Sequence, residues 1–315
     1  MNIVEHLRKK VINDLFSLAS FNTNWNNSWK TEVRNRIISG GHYNTSHILD
    51  LGDSLATIFR TTNEDRSQSG VSAAGTTWEA LTCWYLNLCL INTNVVVVKQ
   101  KQANVPTPIS NALTVMYGAS PSNTEADLIA IVFPHEDEYS QNITDLSNNL
   151  LFEDIELFGR GGSFNYLAAL NKLVDRDAND IDLNVIQCKT NWNDNAQIPM
   201  LWDMVYHAQG FQNNNISVGI NNYSLNSFNN FSYSFVTVPT TDASRITQDS
   251  VCVKRVITLS GGNYWGNPTR ANVASSIKEI FNRNLSNGIR PNIRTTLTNS
   301  LNEIDTTFTY FNLAV

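Results

Sequence analysis

Residues 182–191, DLNVIQCKTN, combine a polar pair with the composition of a buried β-strand. Successive side chains of a strand point to opposite faces, so Gln187 and Lys189 share one face and Cys188 lies on the other. Burying a lysine ammonium without a partner costs several kcal/mol. The segment therefore predicts that a carboxylate, a phosphate or bound water lies opposite Lys189.

The rest of the chain alternates helical patterns with short β-branched runs. Apolar residues at helical spacing predict helices at 3–19, 28–39, 46–60, 78–90, 163–174, 198–210, 271–283 and 294–303. β-Branched runs between turn signals predict strands at 95–99, 112–117, 125–133, 183–190, 231–238 and 252–259. The polar segment 61–77 is expected to be a loop or lid, with Thr76 or Thr77 capping the helix that follows. This order predicts an α/β protein with a mixed central β-sheet flanked by helices.

The apolar segments predict a protein core and not a membrane span. The longest, residues 81–98, is interrupted by Asn87, Asn92 and Asn94, so we expect a core helix followed by a strand. The N-terminal segment interleaves charged and apolar residues at helical spacing, which is unlike a signal peptide. The four cysteines show no CxxC spacing. We therefore expect a cytoplasmic protein with reduced thiols and no membrane partner.

The distribution of charge bears on the partner. The net charge is −6, which argues mildly against a nucleic-acid partner because phosphate binding depends on local positive charge. Acidic residues concentrate at 136–156 and 175–182. Residues 251–300 contain one acid, Glu279, and the following cations: Lys254, Arg255, Arg270, Lys278, Arg283, Arg290 and Arg294. A basic C-terminal face is therefore compatible with an acidic protein that contacts DNA.

A carboxylate that could meet Lys189 occurs in the segment 125–133, EADLIAIVF. Asp127 enters a strand that is otherwise apolar on both faces. If this strand pairs with 183–190, Asp127 comes next to Gln187 and Lys189. A carboxylate, a second oxygen ligand and a lysine at the end of two paired strands suit Mg²⁺, which prefers oxygen ligands. The metal would acidify a water and neutralise charge on a scissile phosphate, and the lysine would orient or deprotonate that water.

This pattern resembles the active site of the PD-(D/E)xK nuclease superfamily. In that family a long helix carries a glutamate, the next strands bring an aspartate, and a later strand brings (D/E)xK. The matching segments are TTWEALTCWYLNL with Glu79, EADLIAI with Asp127, and VIQCKTN with Gln187 and Lys189. The last is similar to the QxK variant of Mrr-type restriction endonucleases, in which glutamine replaces the first acid. A helix follows that strand in the family, as the pattern at 198–210 predicts here.

The resemblance implies a restriction endonuclease-like core and a type II site-specific deoxyribonuclease. Such an enzyme cleaves double-stranded DNA as a homodimer with Mg²⁺, for which Mn²⁺ can substitute. By resemblance, Asp127, Gln187 and the Cys188 carbonyl would bind the metal, Lys189 would position the attacking water, and Glu79 would hold a second metal or an outer-shell water. The implied organisation is a helical region at 1–69, a catalytic core at 70–260 with an insertion near 134–180, and a helical region at 261–315 for DNA contact or dimerisation.

Two departures from the family pattern leave alternatives open. Asp127 lies unusually far before Gln187, which is why the resemblance needs the insertion. Asp177 and Asp182 would give a shorter spacing, but they lie in a polar segment typical of a turn and are the second candidates. Glutamine at 187 also weakens metal binding. The other hypotheses are a DNA repair or recombination nuclease of the same fold and a non-catalytic binding or structural protein.

Overall fold

The structure is a computed structural model of the chain and has a mixed α/β fold. The residues that it describes are 1–62, 68–100, 104–122, 126–190, 197–208, 210–211, 215–238, 246–262, 264 and 276–314. The predicted mixed sheet with packed helices is confirmed. Among the described residues, no helix combines the length and the apolar character needed to cross a bilayer.

The N-terminal region consists mainly of helices, two of which have asparagine caps. They are α1 (Ile3–Ser17), α2 (Ala19–Asn24), α3 (Lys30–Ile37), α4 (Thr45–Asp50) and α5 (Leu55–Arg60), with a π-helical turn at Trp25–Trp29 and a 3₁₀ turn at Leu51–Ser54. Asn2 and Asn44 cap α1 and α4, because each side chain accepts a hydrogen bond from a first-turn backbone N–H. Between α3 and α4, the short strands β1 (Ile38–Ser39) and β2 (His42–Tyr43) pair antiparallel.

The later helices are separated by strands and turns. They are α6 (Gln68–Cys89), α7 (Thr107–Leu113), α8 (Asp137–Ser140), α9 (Tyr166–Asp177), α10 (Gln197–Ala208), α11 (Val251–Val256), α12 (Ile280–Arg283) and α13 (Ile293–Ser300). The remaining strands are β3 (Val95–Lys99), β4 (Val115–Tyr117), β5 (Ser120–Ser122), β6 (Leu128–Val132), β7 (Asp182–Lys189), β8 (Gly210–Phe211), β9 (Ile216–Val218) and β10 (Asn230–Thr237). Short 3₁₀ turns join several of these elements.

The central sheet is mixed and has the spatial order β10, β7, β6, β3. Strands β3, β6 and β7 pair antiparallel, whereas β10 lies parallel to β7. Every residue of β3 and β6 is buried, which is why both strands are apolar apart from Lys99 at the end of β3. Helices α1 and α6 pack against β3, and α10 packs against β10. A second, antiparallel sheet has the order β5, β4, β9, β8.

The C-terminal segment packs against the N-terminal helices. The Trp25 indole N–H donates to Asn312 O at 3.3 Å, and the Tyr310 hydroxyl donates to a Glu5 carboxylate oxygen at 3.1 Å. Glu5 also pairs with the fully buried Arg8 at 3.0 Å. Residues near both ends of the chain therefore contribute to one continuous apolar core.

Several predicted elements are wrong or shifted. Residues 252–259 were expected to be a strand, but Val251–Val256 form α11, because Val253 and Val256 lie three residues apart on one buried helical face. The run 112–117 is divided, since α7 continues to Leu113 and only Val115–Tyr117 form a strand, in the second sheet. Within the described residues of the helix predicted at 271–283, α12 covers only Ile280–Arg283, after a 3₁₀ turn.

The segment 61–77, expected to be a loop or lid, is largely helical where it is described. Helix α6 already begins at Gln68, so neither Thr76 nor Thr77 is its N-cap. The Thr77 hydroxyl instead donates to Ala74 O within the helix. Small residues such as Ala74 permit a helix here, although the polar composition of the segment resembles a loop. Residues 63–67 lie outside the described part of the chain.

Candidate functional site

The predicted pairing of the aspartate strand with the QxK strand is present. Leu128 lies opposite Ile186 in the antiparallel β6–β7 pair. Continuing this register by one residue places Asp127 opposite Gln187. Directly opposed residues of antiparallel strands have neighbouring side chains. The two strands thus bring Asp127, Gln187 and Lys189 to one end of the central sheet.

Asp127 is fixed by the backbone of β7. Its Oδ2 accepts a hydrogen bond from the Cys188 N–H at 2.7 Å and lies 3.7 Å from Lys189 Nζ. Burial raises the pKa of Asp127 above its ordinary value, against the attraction of Lys189, and the nearby Glu79 carboxylate raises it further. A buried carboxylate whose negative charge is incompletely compensated is suited to binding a cation.

Gln187 contributes a buried oxygen without a donor. The residue is 3% exposed, and its Oε1 has no hydrogen-bond partner within the described part of the chain. Buried polar atoms are nearly always hydrogen-bonded, so an orphaned oxygen requires an explanation. An amide oxygen beside a carboxylate is a suitable ligand for a hard cation. The residues present therefore fit a Mg²⁺ ion bound by Asp127 and Gln187.

Glu79 reaches the same end of the sheet from α6. Asn87 donates to Val97 O at 2.7 Å and accepts from Val97 N at 3.1 Å, which joins α6 to the edge strand β3. Glu79, Cys83 and Asn87 are spaced four residues apart and therefore lie on one helical face. This face directs Glu79 toward the end of β3, where its Oε2 lies 2.9 Å from Lys99 Nζ.

Lys99 is a residue of the site that sequence reasoning missed. It is the last residue of β3 and the cross-strand neighbour of Leu128, which follows Asp127. Its side chain is 11% exposed, so its ion pair with Glu79 is largely buried. A signal was present in the sequence, because VVVVK ends in a lysine just as the strand DLNVIQCK does.

Cys188 lies in the site through its backbone. Its N–H orients Asp127, and its carbonyl is the group that the family resemblance assigns to the metal. Burial raises the pKa of the Cys188 thiol well above its ordinary value, and the nearby Asp127 and Glu79 carboxylates add to this effect. The thiol is therefore protonated at neutral pH and is a poor nucleophile.

The second-choice acids are not brought to this site. Asp182 is the first residue of β7, at the end of the strand opposite to Lys189, and its two carboxylate oxygens accept from Asn229 and Asn287, each at 2.7 Å. Asp177 pairs with Arg176 at 2.7 Å and accepts from the Tyr139 hydroxyl. These contacts give both acids structural roles.

The basic C-terminal residues are partly neutralised. Lys278 pairs with Asp50 at 2.7 Å and with Asp53 at 3.1 Å, and these contacts raise its pKa. Arg283 pairs with Glu279, and Lys254 pairs with Asp249. The C-terminal segment also contacts the central sheet at the end opposite to the candidate site. There the Gly288 carbonyl accepts a hydrogen bond from the Asn94 N–H, just before β3. Arg270 lies outside the described residues.

Comparison of the sequence with models of known protein families and with curated proteins gave no significant match. The described residues contain no group of three or more His, Cys, Asp and Glu side chains placed to share a metal. The candidate site contains two carboxylates, Glu79 and Asp127, together with the neutral amide of Gln187. The geometry of these residues is therefore the basis for a functional proposal.

Proposed function

We propose that the chain is a Mg²⁺-dependent endonuclease that cleaves double-stranded DNA in the manner of a type II restriction endonuclease. The observation that carries this proposal is the convergence of Asp127, Gln187 and Lys189 at one end of the central sheet, with Asp127 held by the Cys188 N–H. These are the residue types and the order that the PD-(D/E)xK resemblance requires.

The topology supports a restriction endonuclease-like core. Along the chain, α6 precedes β3, β6 and β7, which pair antiparallel. Helix α10 then lies between β7 and β10 in the chain, and β10 lies parallel to β7 in the sheet. The proposed site residues follow this order, with Glu79 on α6, Asp127 before β6 and Lys189 ending β7. The residues between β6 and β7 contain α8, α9 and short 3₁₀ turns, which accounts for the long spacing between Asp127 and Gln187.

Three groups of the chain would hold the metal. They are the Asp127 carboxylate, Gln187 Oε1 and the Cys188 carbonyl, and water would complete the coordination because Mg²⁺ retains several waters in proteins. When bound, the metal supplies positive charge to a scissile phosphate and makes a water more acidic; Mn²⁺ supplies the same chemistry. The Cys188 N–H keeps Asp127 oriented toward this position.

Lys189 would act on the attacking water. Its ammonium lies 3.7 Å from Asp127 Oδ2, longer than a direct hydrogen bond, and its side chain is partly exposed. It can therefore reach the carboxylate and a substrate at the same time. In this position it orients the water for attack on phosphorus and compensates negative charge in the transition state. Glu79 would hold a second metal or orient an outer-shell water.

The proposed enzyme is a cytoplasmic homodimer. The described part of one chain contains one such site, whereas duplex DNA has two strands that must each be cut. A two-fold symmetric pair of subunits places one site on each strand. Sedimentation or light scattering of the protein with and without duplex DNA tests the dimer directly, and a chain that stays monomeric on DNA contradicts it.

Digestion of several plasmids tests the function. Each plasmid is incubated with the protein and Mg²⁺, Mn²⁺ or EDTA, beside the Lys189→Met variant as a control of similar side-chain length. Discrete fragments that require the metal and Lys189 support a site-specific endonuclease. Metal-dependent cleavage without discrete fragments favours a repair or recombination nuclease. A shift in DNA mobility without cleavage, or no effect on DNA, contradicts the proposal and favours a binding or structural protein.

A further inference from the structure

The candidate site contains two carboxylate–lysine pairs with different geometry. The Glu79–Lys99 pair is close, at 2.9 Å, whereas the Asp127–Lys189 pair is loose, at 3.7 Å. Asp127 also accepts a hydrogen bond from the Cys188 backbone N–H, whose position is set by β7. Asp127 is thus placed to bind a further cation, whereas Glu79 already has a close cation, Lys99.

The burial of Lys99 makes its ammonium a permanent part of the site. Its side chain is less exposed than that of Lys189, and it lies at the end of the edge strand β3, where α6 covers it. An unpaired ammonium in this position would be costly, so displacement of Lys99 from Glu79 is unfavourable. A divalent ion at Glu79 would lie beside this ammonium, and the two positive charges would repel each other in a largely buried position.

We infer that the Lys99 ammonium occupies the place of a second divalent cation, so that this site works with a single metal ion. This inference rests on the proposed function, and it assigns Glu79 to orient Lys99 and outer-shell water instead of binding metal. The neutral Gln187 agrees with it, because Asp127, the carboxylate with the longer lysine contact, supplies little negative charge for two divalent ions. Lys99 therefore acts through Glu79 as a positioning residue and supplies fixed positive charge to the site.

Counting bound Mn²⁺ tests this inference. The number of ions per chain at saturation is measured from the electron paramagnetic resonance signal of free Mn²⁺. We expect one ion for the wild type and for Lys99→Arg, which keeps the charge. We expect two ions for Lys99→Met, because Glu79 then has no cation, and one ion again for the Lys99→Met/Glu79→Gln double variant. Lys172→Met, which frees the exposed Asp154, is the matched control and should bind one ion.

A second variant decides the question if Lys99→Met does not fold. Glu79→Gln should still bind one Mn²⁺, because Glu79 is not a ligand under this inference. Two ions on the wild type, a single ion on folded Lys99→Met, or loss of an ion in Glu79→Gln overturns the inference. A wild-type chain that binds no Mn²⁺ overturns the metal site and this inference with it. One bound ion without any DNA cleavage overturns the proposed function and leaves the assignment of Lys99 standing.

Discussion

Asp127 accepts a hydrogen bond from the backbone N–H of Cys188 at 2.7 Å, although 61 residues separate the two in the chain. A backbone donor has a position set by the sheet, so this contact orients the carboxylate more firmly than a mobile side chain could. The same stretch of β7 provides the buried Gln187 oxygen and the Lys189 ammonium. The contact therefore links the aspartate strand to the QxK strand at a defined register, and the predictions below depend on it.

Replacement of Lys189 by alanine should remove cleavage. The ammonium is expected to act on the transition state, so the loss should be about 10²–10⁴-fold in the rate of plasmid cleavage. DNA binding and thermal stability should change little, because the side chain is partly exposed and its ion pair is long. Lys172→Ala, which removes an exposed lysine paired with Asp154, is the control. Wild-type cleavage by the Lys189 variant would contradict the site assignment.

Asp127→Asn should abolish metal-dependent cleavage while preserving the fold. The asparagine Oδ1 can still accept from Cys188, but the negative charge that attracts Mg²⁺ is lost. DNA binding without metal should become tighter, because the variant repels phosphate less. Mobility shifts in EDTA and cleavage in Mg²⁺ measure the two effects. Asp177→Asn and Asp182→Asn are controls that should lose stability and keep activity. If either of them loses activity while Asp127→Asn stays fully active, the metal ligand lies in the segment 175–182 and is not Asp127.

Two variants of Gln187 test whether its orphaned oxygen faces the metal. Gln187→Glu should lower the Mg²⁺ concentration needed for half-maximal cleavage, since a full charge replaces an oxygen dipole. Gln187→Leu should reduce cleavage. In EDTA, Gln187→Leu should be more thermally stable than Gln187→Glu, which is the opposite of their order in cleavage. Leucine removes an unsatisfied buried oxygen, whereas glutamate adds a buried charge. Unchanged metal dependence in both variants would show that Gln187 does not contact the metal.

The raised pKa of Asp127 predicts that pH has opposite effects on folding stability and on metal affinity. Since the pKa is higher in the folded chain, the folded chain binds this proton more tightly than the unfolded chain does. The stabilising contribution of Asp127 is therefore present at low pH and is lost as the pH rises from the ordinary aspartate value through the raised value. Urea unfolding of the wild type and Asp127→Asn in EDTA across a pH series measures this difference.

Metal affinity should change in the opposite direction. The metal requires the ionised carboxylate, so protonation competes with binding, and Mn²⁺ affinity should fall as the pH falls through the raised pKa of Asp127. Calorimetric titrations with Mn²⁺ across the same pH series provide the test. An affinity that falls only at the ordinary aspartate pKa would contradict the raised value.

Arg8→Met should destabilise the whole fold. Arg8 is fully buried, pairs with Glu5 at 3.0 Å, and donates to Asn87 at 3.2 Å, so its removal leaves a buried carboxylate unpaired. Breaking such a pair costs about 3–5 kcal/mol. Lys10→Met on the same helix breaks the more exposed pair with Asp14 and should cost less than about 1 kcal/mol. Urea unfolding compares the two, and equal losses would contradict the role assigned to Arg8.

The sequence was sufficient to predict elements with a strong local pattern. The strands β3, β6, β7 and β10 were predicted because continuous apolar or alternating runs fit buried strands. The strand predicted at 252–259 is wrong: CVKRVITL is rich in β-branched residues, but Val251–Val256 form α11, which buries Val253 and Val256 and packs against α10. Its local preference and its tertiary environment disagree, and the environment prevails.

The candidate site, too, was predicted in part from local sequence pattern and completed by tertiary contacts. The alternation of side chains in β7 predicted that Gln187 and Lys189 share a face, and the order of motifs suggested Glu79 and Asp127 as partners. Sequence alone left Asp127, Asp177 and Asp182 as alternatives and gave no role to Lys99. The β6–β7 register brought Asp127 to Lys189, and the packing of α6 brought Glu79 to Lys99. Periodicity is a local property that a sequence records directly, whereas contacts between distant segments depend on strand register and helix packing, which only the folded chain determines.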